Sequence, residues 1–203
     1  MSNLDAFYIS RELYDLSKLG GMSFPNFLNP DFREDLLNEI KNAQGRLKPA
    51  EQYVGKVQQV MNTFYIGEAH NNSNIGNFPL VKQLRDTYSL FYKELGNIAN
   101  FYSGNINSIG FHHYPANSLG ITPHQDYAFD YNLISIFVLE GNASLNVCRD
   151  RDKRDSMQLS AAPGSLVLLR AARKPEEQKY RPFHYIDGVK EERYSLIFRQ
   201  KIN

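Results

Sequence analysis

Three groups of residues in this chain could do chemistry together. His124-Gln125-Asp126 places an imidazole and a carboxylate two positions apart. On a strand or its rim, positions i and i+2 point to the same side, so both can reach one ion. His184 lies between Phe183 and Tyr185. Taken singly, the triplet also reads as surface structure and His184 as a satisfied core histidine. Together they supply two histidines and one carboxylate. That set leaves coordination positions open and suits Fe(II), with zinc able to take the same donors. The third group is Arg193-Tyr194-Ser195-Leu196-Ile197-Phe198-Arg199. On a strand, Arg193, Ser195, Ile197 and Arg199 share one face, and Tyr194, Leu196 and Phe198 share the other. An edge strand with its arginines in water is one reading. Turned inward, two arginines and a serine would need an anion to offset their desolvation. A dicarboxylate supplies it, because a guanidinium fork pairs with a carboxylate through two hydrogen bonds. That anion favours iron as the metal.

Such residues need a rigid frame, and the second half of the chain has the pattern of one. Short strands are predicted near 107–114, 131–139, 143–148, 156–160, 165–170, 183–187 and 193–200. Pro163-Gly164 and Asp187-Gly188 are turn dipeptides, and Asp150-Arg151-Asp152-Lys153 is a polar bend. Several short strands in one domain suggest a sandwich, barrel or jelly roll. Residues 1 to about 105 read mostly helical. Asn29 can cap a helix whose first position is Pro30 and whose first turn is acidic. Leu36, Leu37 and Ile40 form its stripe, and Gly45 stops it. A second helix is expected from Pro49 to about Met61. A third is expected from Pro79 to about Phe101, with Leu80, Leu84, Tyr88, Phe91, Leu95 and Ile98 as its apolar face. Residues 71–77 are a loop by composition.

The bulk properties fit one domain, 1–203, with a core of its own. Net charge is +1, which argues against nucleic acid as a partner on bulk attraction alone. Cys148 is the only cysteine, so no internal disulfide can form. No apolar run approaches the ~20 residues that span a bilayer, and no secretory signal is visible, so a cytoplasmic protein is expected.

Taken in order, His124-x-Asp126, His184 and Arg193-x-Ser195-x-x-x-Arg199 resemble the Fe(II)/2-oxoglutarate dioxygenases. The ending looks most like their AlkB-like branch. Gly21-Met22-Ser23-Phe24-Pro25-Asn26-Phe27-Leu28-Asn29-Pro30 looks like that superfamily's leading strand and first helix. The stretch from His113 to Gly120 looks like the strand and loop before the metal motif. The stretch from Leu159 to Leu169 looks like the turn into the strand before the distal histidine. The resemblance therefore covers about residues 20–203. It implies an α+β fold: a double-stranded β-helix (jelly-roll) core at about 106–203 with the N-terminal helices packed outside. It implies Fe(II), 2-oxoglutarate and O₂ as cofactor and cosubstrates, with His124, Asp126 and His184 as iron ligands. Arg193 and Ser195 match residues that hold the distal carboxylate of 2-oxoglutarate. Arg199 matches a second arginine near its metal-side end or supporting network. Tyr114 matches a tyrosine that hydrogen-bonds the cosubstrate, and His112 stands two positions before it. Halogenases of the superfamily lack the carboxylate ligand, so Asp126 implies oxygenation.

Three functional readings follow. The first is an oxygenase for a small-molecule or amino-acid-type substrate. Near-neutral charge favours it, as do Ser195 and His112 where nucleic-acid dealkylases carry asparagine. The gap of nine residues between His184 and Arg193 is also shorter than theirs. The second is a dealkylase for alkylated nucleobases, favoured by the AlkB-like ending and by the 13 Tyr and 13 Phe on which a flipped base could stack. Against it, Arg149, Arg151, Lys153 and Arg154 alternate with Asp150, Asp152 and Asp155, which nearly cancels their charge. The third is a non-catalytic jelly-roll ligand sensor. In the catalytic readings, Tyr127 and Phe129 flank the metal on the substrate side, with 67–78 and 125–130 as entrance loops.

Overall fold

The computed structural model describes residues 20–70, 74–99, 104–173 and 175–201. Its frame is two antiparallel sheets. The larger has the order β1(Gly21–Phe24), β11(Leu166–Arg170), β8(Asp130–Glu140), β13(Arg193–Lys201), β6(Ser108–Tyr114), β5(Asn62–Ile66) and β2(Lys48–Pro49). The smaller has the order β10(Met157–Leu159), β9(Ser144–Cys148), β12(Phe183–Asp187) and β7(Ile121–His124). From β6 onward the chain passes back and forth between the sheets, which is the winding of a double-stranded β-helix. One apolar cluster fills the space between them, joining Ile134, Val138 and Ile197 of the larger sheet to Ile121, Leu145 and Ile186 of the smaller.

Strand β13 is central, paired with β6 on one side and β8 on the other. It is buried on both faces from Arg193 to Gln200. Tyr194, Leu196 and Phe198 enter a second apolar cluster on the far face of the larger sheet. The same cluster holds Leu36, Leu37 and Ile40 from α1(Pro30–Asn42) and Val81, Leu84, Tyr88 and Leu95 from α2(Pro79–Ala99). Asn29 caps α1, its side-chain oxygen accepting from the Asp31 and Phe32 amides at 3.0 and 3.2 Å. The Glu39 carboxylate accepts from the Leu80 and Val81 amides, both at 3.0 Å, so α1 supplies the cap for the free donors that open α2.

Several sequence expectations change here. The region before residue 105 is not mostly helical. The helix expected over 49–61 is absent, replaced by the end of β2 and the hairpin β3(Tyr53–Val54)–β4(Val57–Gln58). Val54, Val57 and Val60 mimic a helical period, but they are β-branched and bracket Gly55, whose φ of 59° makes the hairpin turn. Helix α1 stops at Asn42, and Gly45 lies in a following 3₁₀ turn. The buried face of α2 runs through Val81 and Tyr92, and Ile98 is 41% exposed. The expected end of that helix at Phe101 lies outside the described residues. Among those residues no helix is long and apolar enough to cross a membrane.

Candidate functional site

His124 and His184 come from directly paired positions on β7 and β12. Their ring centroids are 4.2 Å apart. Asp126 sits just past the end of β7 in a stapled loop. The Gln125 amide donates to the Arg181 carbonyl at 2.6 Å, and the Arg181 guanidinium donates to the Asp126 carbonyl. One donor atom each from His124, Asp126 and His184 lie within 4.8 Å of one another. His124 Nδ1 faces the Thr122 carbonyl at 3.0 Å, which fixes the tautomer and leaves Nε2 as the donor. His184 Nε2 stands 3.1 Å from Asp126 Oδ2. Asp126 Oδ1 is taken by Arg199 Nη2 at 2.8 Å. Arg199 therefore holds one carboxylate oxygen and leaves the other facing the imidazoles.

Charge in this site follows from burial and from these contacts. Burial pushes the Asp126 carboxyl up, but Arg199 and the two imidazoles outweigh it and hold it well below the usual carboxylate range. Burial, with His184 adding to it, brings His124 down to about 3. The ring is thus neutral and ready to donate at ordinary pH. Burial likewise brings His112 down to about 3, with Arg199 adding to it.

A cavity of about 350 Å³ opens onto the three residues. Of the positions singled out from sequence, His112, Tyr114, His124, Asp126, Tyr127, His184 and Arg199 line it. Arg193, Ser195 and Phe129 do not. Arg193 and Ser195 lie on the inward face of β13, opposite Tyr114 and His112 in the β6 register. Arg193 is fully buried. Its Nη1 points to the Gly141 and Ala161 carbonyls at 3.4 and 3.2 Å, while Nε and Nη2 have no partner. Burial brings its guanidinium down to about 10. A buried arginine with two free donors beside a tyrosine could hold an anion. Phe129 stacks parallel on Tyr127 at 4.9 Å, with the Lys201 ammonium 5.1 Å from the Phe129 ring centre.

Sequence reasoning missed several contributors. Tyr65 lines the cavity and its hydroxyl meets His112 Nε2 at 3.1 Å. Gly110 makes room for that ring, since a Cβ there would lie 2.8 Å from Tyr65 Cε1. The alternation Thr63, Tyr65 inward and Phe64, Ile66 outward was available as a signal for β5. Val54 and Val57 of the hairpin line the cavity, Arg181 fixes the Asp126 loop, and Asp130 faces Arg199. None of these three has a local motif. Of the expected entrance loops, Gln125 to Tyr127 reach the cavity, whereas no described residue of 67–78 does. His70 is half-buried, with Nε2 2.8 Å from Ser108 Oγ. His113 faces away from the cavity and stacks on Tyr194 at 4.4 Å.

No family model matches the chain, and no curated protein matches it. Solved structures do. A Pseudomonas putida prolyl-4-hydroxylase matches with a TM-score of 0.69 at 15% identity, over 96% of this chain and 100% of that one. A Neurospora crassa thymine-7-hydroxylase in complex with alpha-KG matches at 0.67 and 13% identity, over 100% and 82%. A structure of JOX2 in complex with 2OG, Fe and JA matches at 0.60 and 11% identity, over 90% and 68%. At these identities the likeness is one of fold, the double-stranded β-helix that iron- and 2-oxoglutarate-binding enzymes share.

Proposed function

We propose that this chain is an Fe(II)- and 2-oxoglutarate-dependent oxygenase that hydroxylates a small-molecule or amino-acid-type substrate, releasing succinate and CO₂. The observation that carries the reading is the convergence of His124, Asp126 and His184 on one cavity, with the unpartnered donors of Arg193 buried behind it. Two imidazoles and a carboxylate suit Fe(II), and two free guanidinium donors suit the far carboxylate of a dicarboxylate. Iron and cosubstrate would supply O₂ activation and oxidation of an unactivated C–H bond. The chain's own part is positioning. His124 and His184 present ring nitrogens, and Asp126 presents Oδ2 while Arg199 holds Oδ1. Arg193 and Ser195 anchor the cosubstrate's distal end, and the Tyr114 hydroxyl adds a donor. His112, tied to Tyr65, shapes the wall beside it. Tyr127, backed by Phe129, meets the substrate at the mouth.

The Arg-x-Ser-x-x-x-Arg ending supports a place near the AlkB-like branch. Paired surface charge supports a substrate other than nucleic acid. Arg149 meets Asp155 and Arg154 meets Asp150, both at 2.5 Å, and Lys153 meets Asp187 at 3.1 Å, so the basic run offers no free phosphate patch. The exposed Tyr127–Phe129 stack favours the second reading, oxidative dealkylation of an alkylated base. Succinate formation from Fe(II), 2-oxoglutarate and O₂ separates both from a non-catalytic sensor. It is to be measured against a panel of free amino acids, small organic acids and methylated oligonucleotides. The expected result is iron-dependent succinate, stimulated by a small molecule. Formaldehyde release from an oligonucleotide at physiological salt would replace this reading with dealkylation, and absence of succinate under every condition would overturn both.

A further inference from the structure

Asp130, the first residue of β8, is 1% exposed, and neither of its carboxylate oxygens has a hydrogen bond. Its Oδ2 lies 3.5 Å from Arg199 Nε. The neighbouring nitrogen of the same guanidinium, Nη2, donates to Asp126 Oδ1 at 2.8 Å. One buried arginine thus meets two carboxylates through neighbouring nitrogens, one of them in the proposed ligand set. Packing alone does not explain Asp130. Burial disfavours its charge and pushes the carboxyl up to about 6 against the pull of Arg199. An uncharged side chain of the same size would fill the space without that cost.

We infer that Asp130 is a positioning residue for the metal site, fixing the rotation of the Arg199 guanidinium and sharing its charge so that Asp126 remains a strong anionic ligand. Arg199 and Asp126 alone would make a closed neutral pair, a poor donor to a cation. With Asp130 the three groups carry a net charge of −1, which a divalent ion offsets. With Asp130 against Nε and Asp126 on Nη2, the guanidinium is drawn to both carboxylates at once, which disfavours a rotation that would carry it onto Asp126 Oδ2. Lys201, opposite Asp130 in the β13–β8 register, adds to the positive side without touching Asp126. The inference rests on Asp126 being a ligand.

The test uses Co(II) as the probe in calorimetric titrations of the purified full chain, with thermal melts of the metal-free protein. Asp130→Asn keeps the shape and removes the charge. Its Co(II) dissociation constant should rise about 10-fold or more, the usual effect of losing a partner that orients a ligand. Its metal-free melting temperature should be equal to or above the parent's. Asp130→Glu, which keeps the charge, should retain more affinity than Asp130→Asn. In an Arg199→Gln background, Asp130→Asn should change Co(II) affinity no further, because its effect runs through Arg199. Parent-like affinity in Asp130→Asn, or an equal further loss in the Arg199→Gln background, would overturn the inference. So would failure of the metal-free Asp130→Asn protein to fold. Asp126→Ala is the control. If it too binds Co(II) like the parent, the ligand reading fails. If it loses binding while Asp130→Asn does not, only the positioning role fails.

Discussion

Replacing Arg193 by methionine should make the cosubstrate-free protein more stable and leave the cosubstrate without its anchor. Burial brings this guanidinium from the ordinary arginine range down to about 10. At about 1.4 kcal/mol per tenfold in acidity, the fold disfavours the charge by about 3 kcal/mol at any pH below that value. Methionine keeps most of the aliphatic length without the charge. It also gives up the bonds to the Gly141 and Ala161 carbonyls, each worth about 1 kcal/mol. The net gain is about 1 kcal/mol, or about 2–4 °C in melting temperature for a chain of this size. With 2-oxoglutarate present the order should invert. Removing one partner of a buried charge pair costs about 2–5 kcal/mol, or about 30-fold or more in affinity. At a concentration 100 times the parent's dissociation constant, the parent gains about 2.7 kcal/mol from binding, and the variant gains well under half of that. The assay is a set of anaerobic thermal melts with Mn(II), with and without 2-oxoglutarate. Curves that fail to cross, with the variant less stable alone and equally stabilised by 2-oxoglutarate, would refute the reasoning.

Asp126→Ala should abolish iron-dependent succinate formation. It should also cost about 3–5 kcal/mol of stability, because it strips buried Arg199 of its closest partner; urea melts and a succinate assay check both parts. The metal-free protein should lose stability as pH falls below about 6.5. The unfolded chain then takes up protons on His112 and His124, which the fold holds neutral down to about 3. Asp130 works the other way between 3.8 and about 6, so two groups oppose one and the net loss is on the order of 1 kcal/mol per pH unit. Urea melts from pH 4 to 7 measure it, and His112→Gln should flatten the slope. Gly110→Ala should displace Tyr65 and break its contact with His112, because the added Cβ would lie 2.8 Å from that ring. A raised KM for the stimulating substrate at near-parent stability is the expected result.

What the sequence makes legible follows from which signals are local. The alternation in 193–199 is complete within seven residues, and the structure realises it on both faces of β13. Turn dipeptides set the strand ends from β8 to β13 to within one or two residues of their observed bounds. The cap at Asn29 depends on its neighbours alone, and it forms. The stretch 49–61 fails for the opposite reason. Its valine spacing suits a helix, and only pairing of Lys48 and Pro49 with β5, and of β3 with β4, decides otherwise. Strand β7 was missed because Ile121 to His124 is four residues long and includes Pro123. The site divides in the same way. Residues in a spaced motif could be named, while Tyr65 and Arg181 reach it from elsewhere in the chain, and Asp130, though within the expected 125–130 loop, meets Arg199 through a contact that no spacing records.

Anomalous diffraction from crystals grown anaerobically with Mn(II) and 2-oxoglutarate tests the central claim most directly. The account predicts one strong peak within about 2.0–2.2 Å of His124 Nε2, an Asp126 carboxylate oxygen and a His184 nitrogen, by analogy with nitrogen and oxygen distances at comparable divalent ions. It also predicts the far carboxylate of 2-oxoglutarate against Arg193. A peak elsewhere, or an ion bound there with the dicarboxylate absent from Arg193, would contradict it.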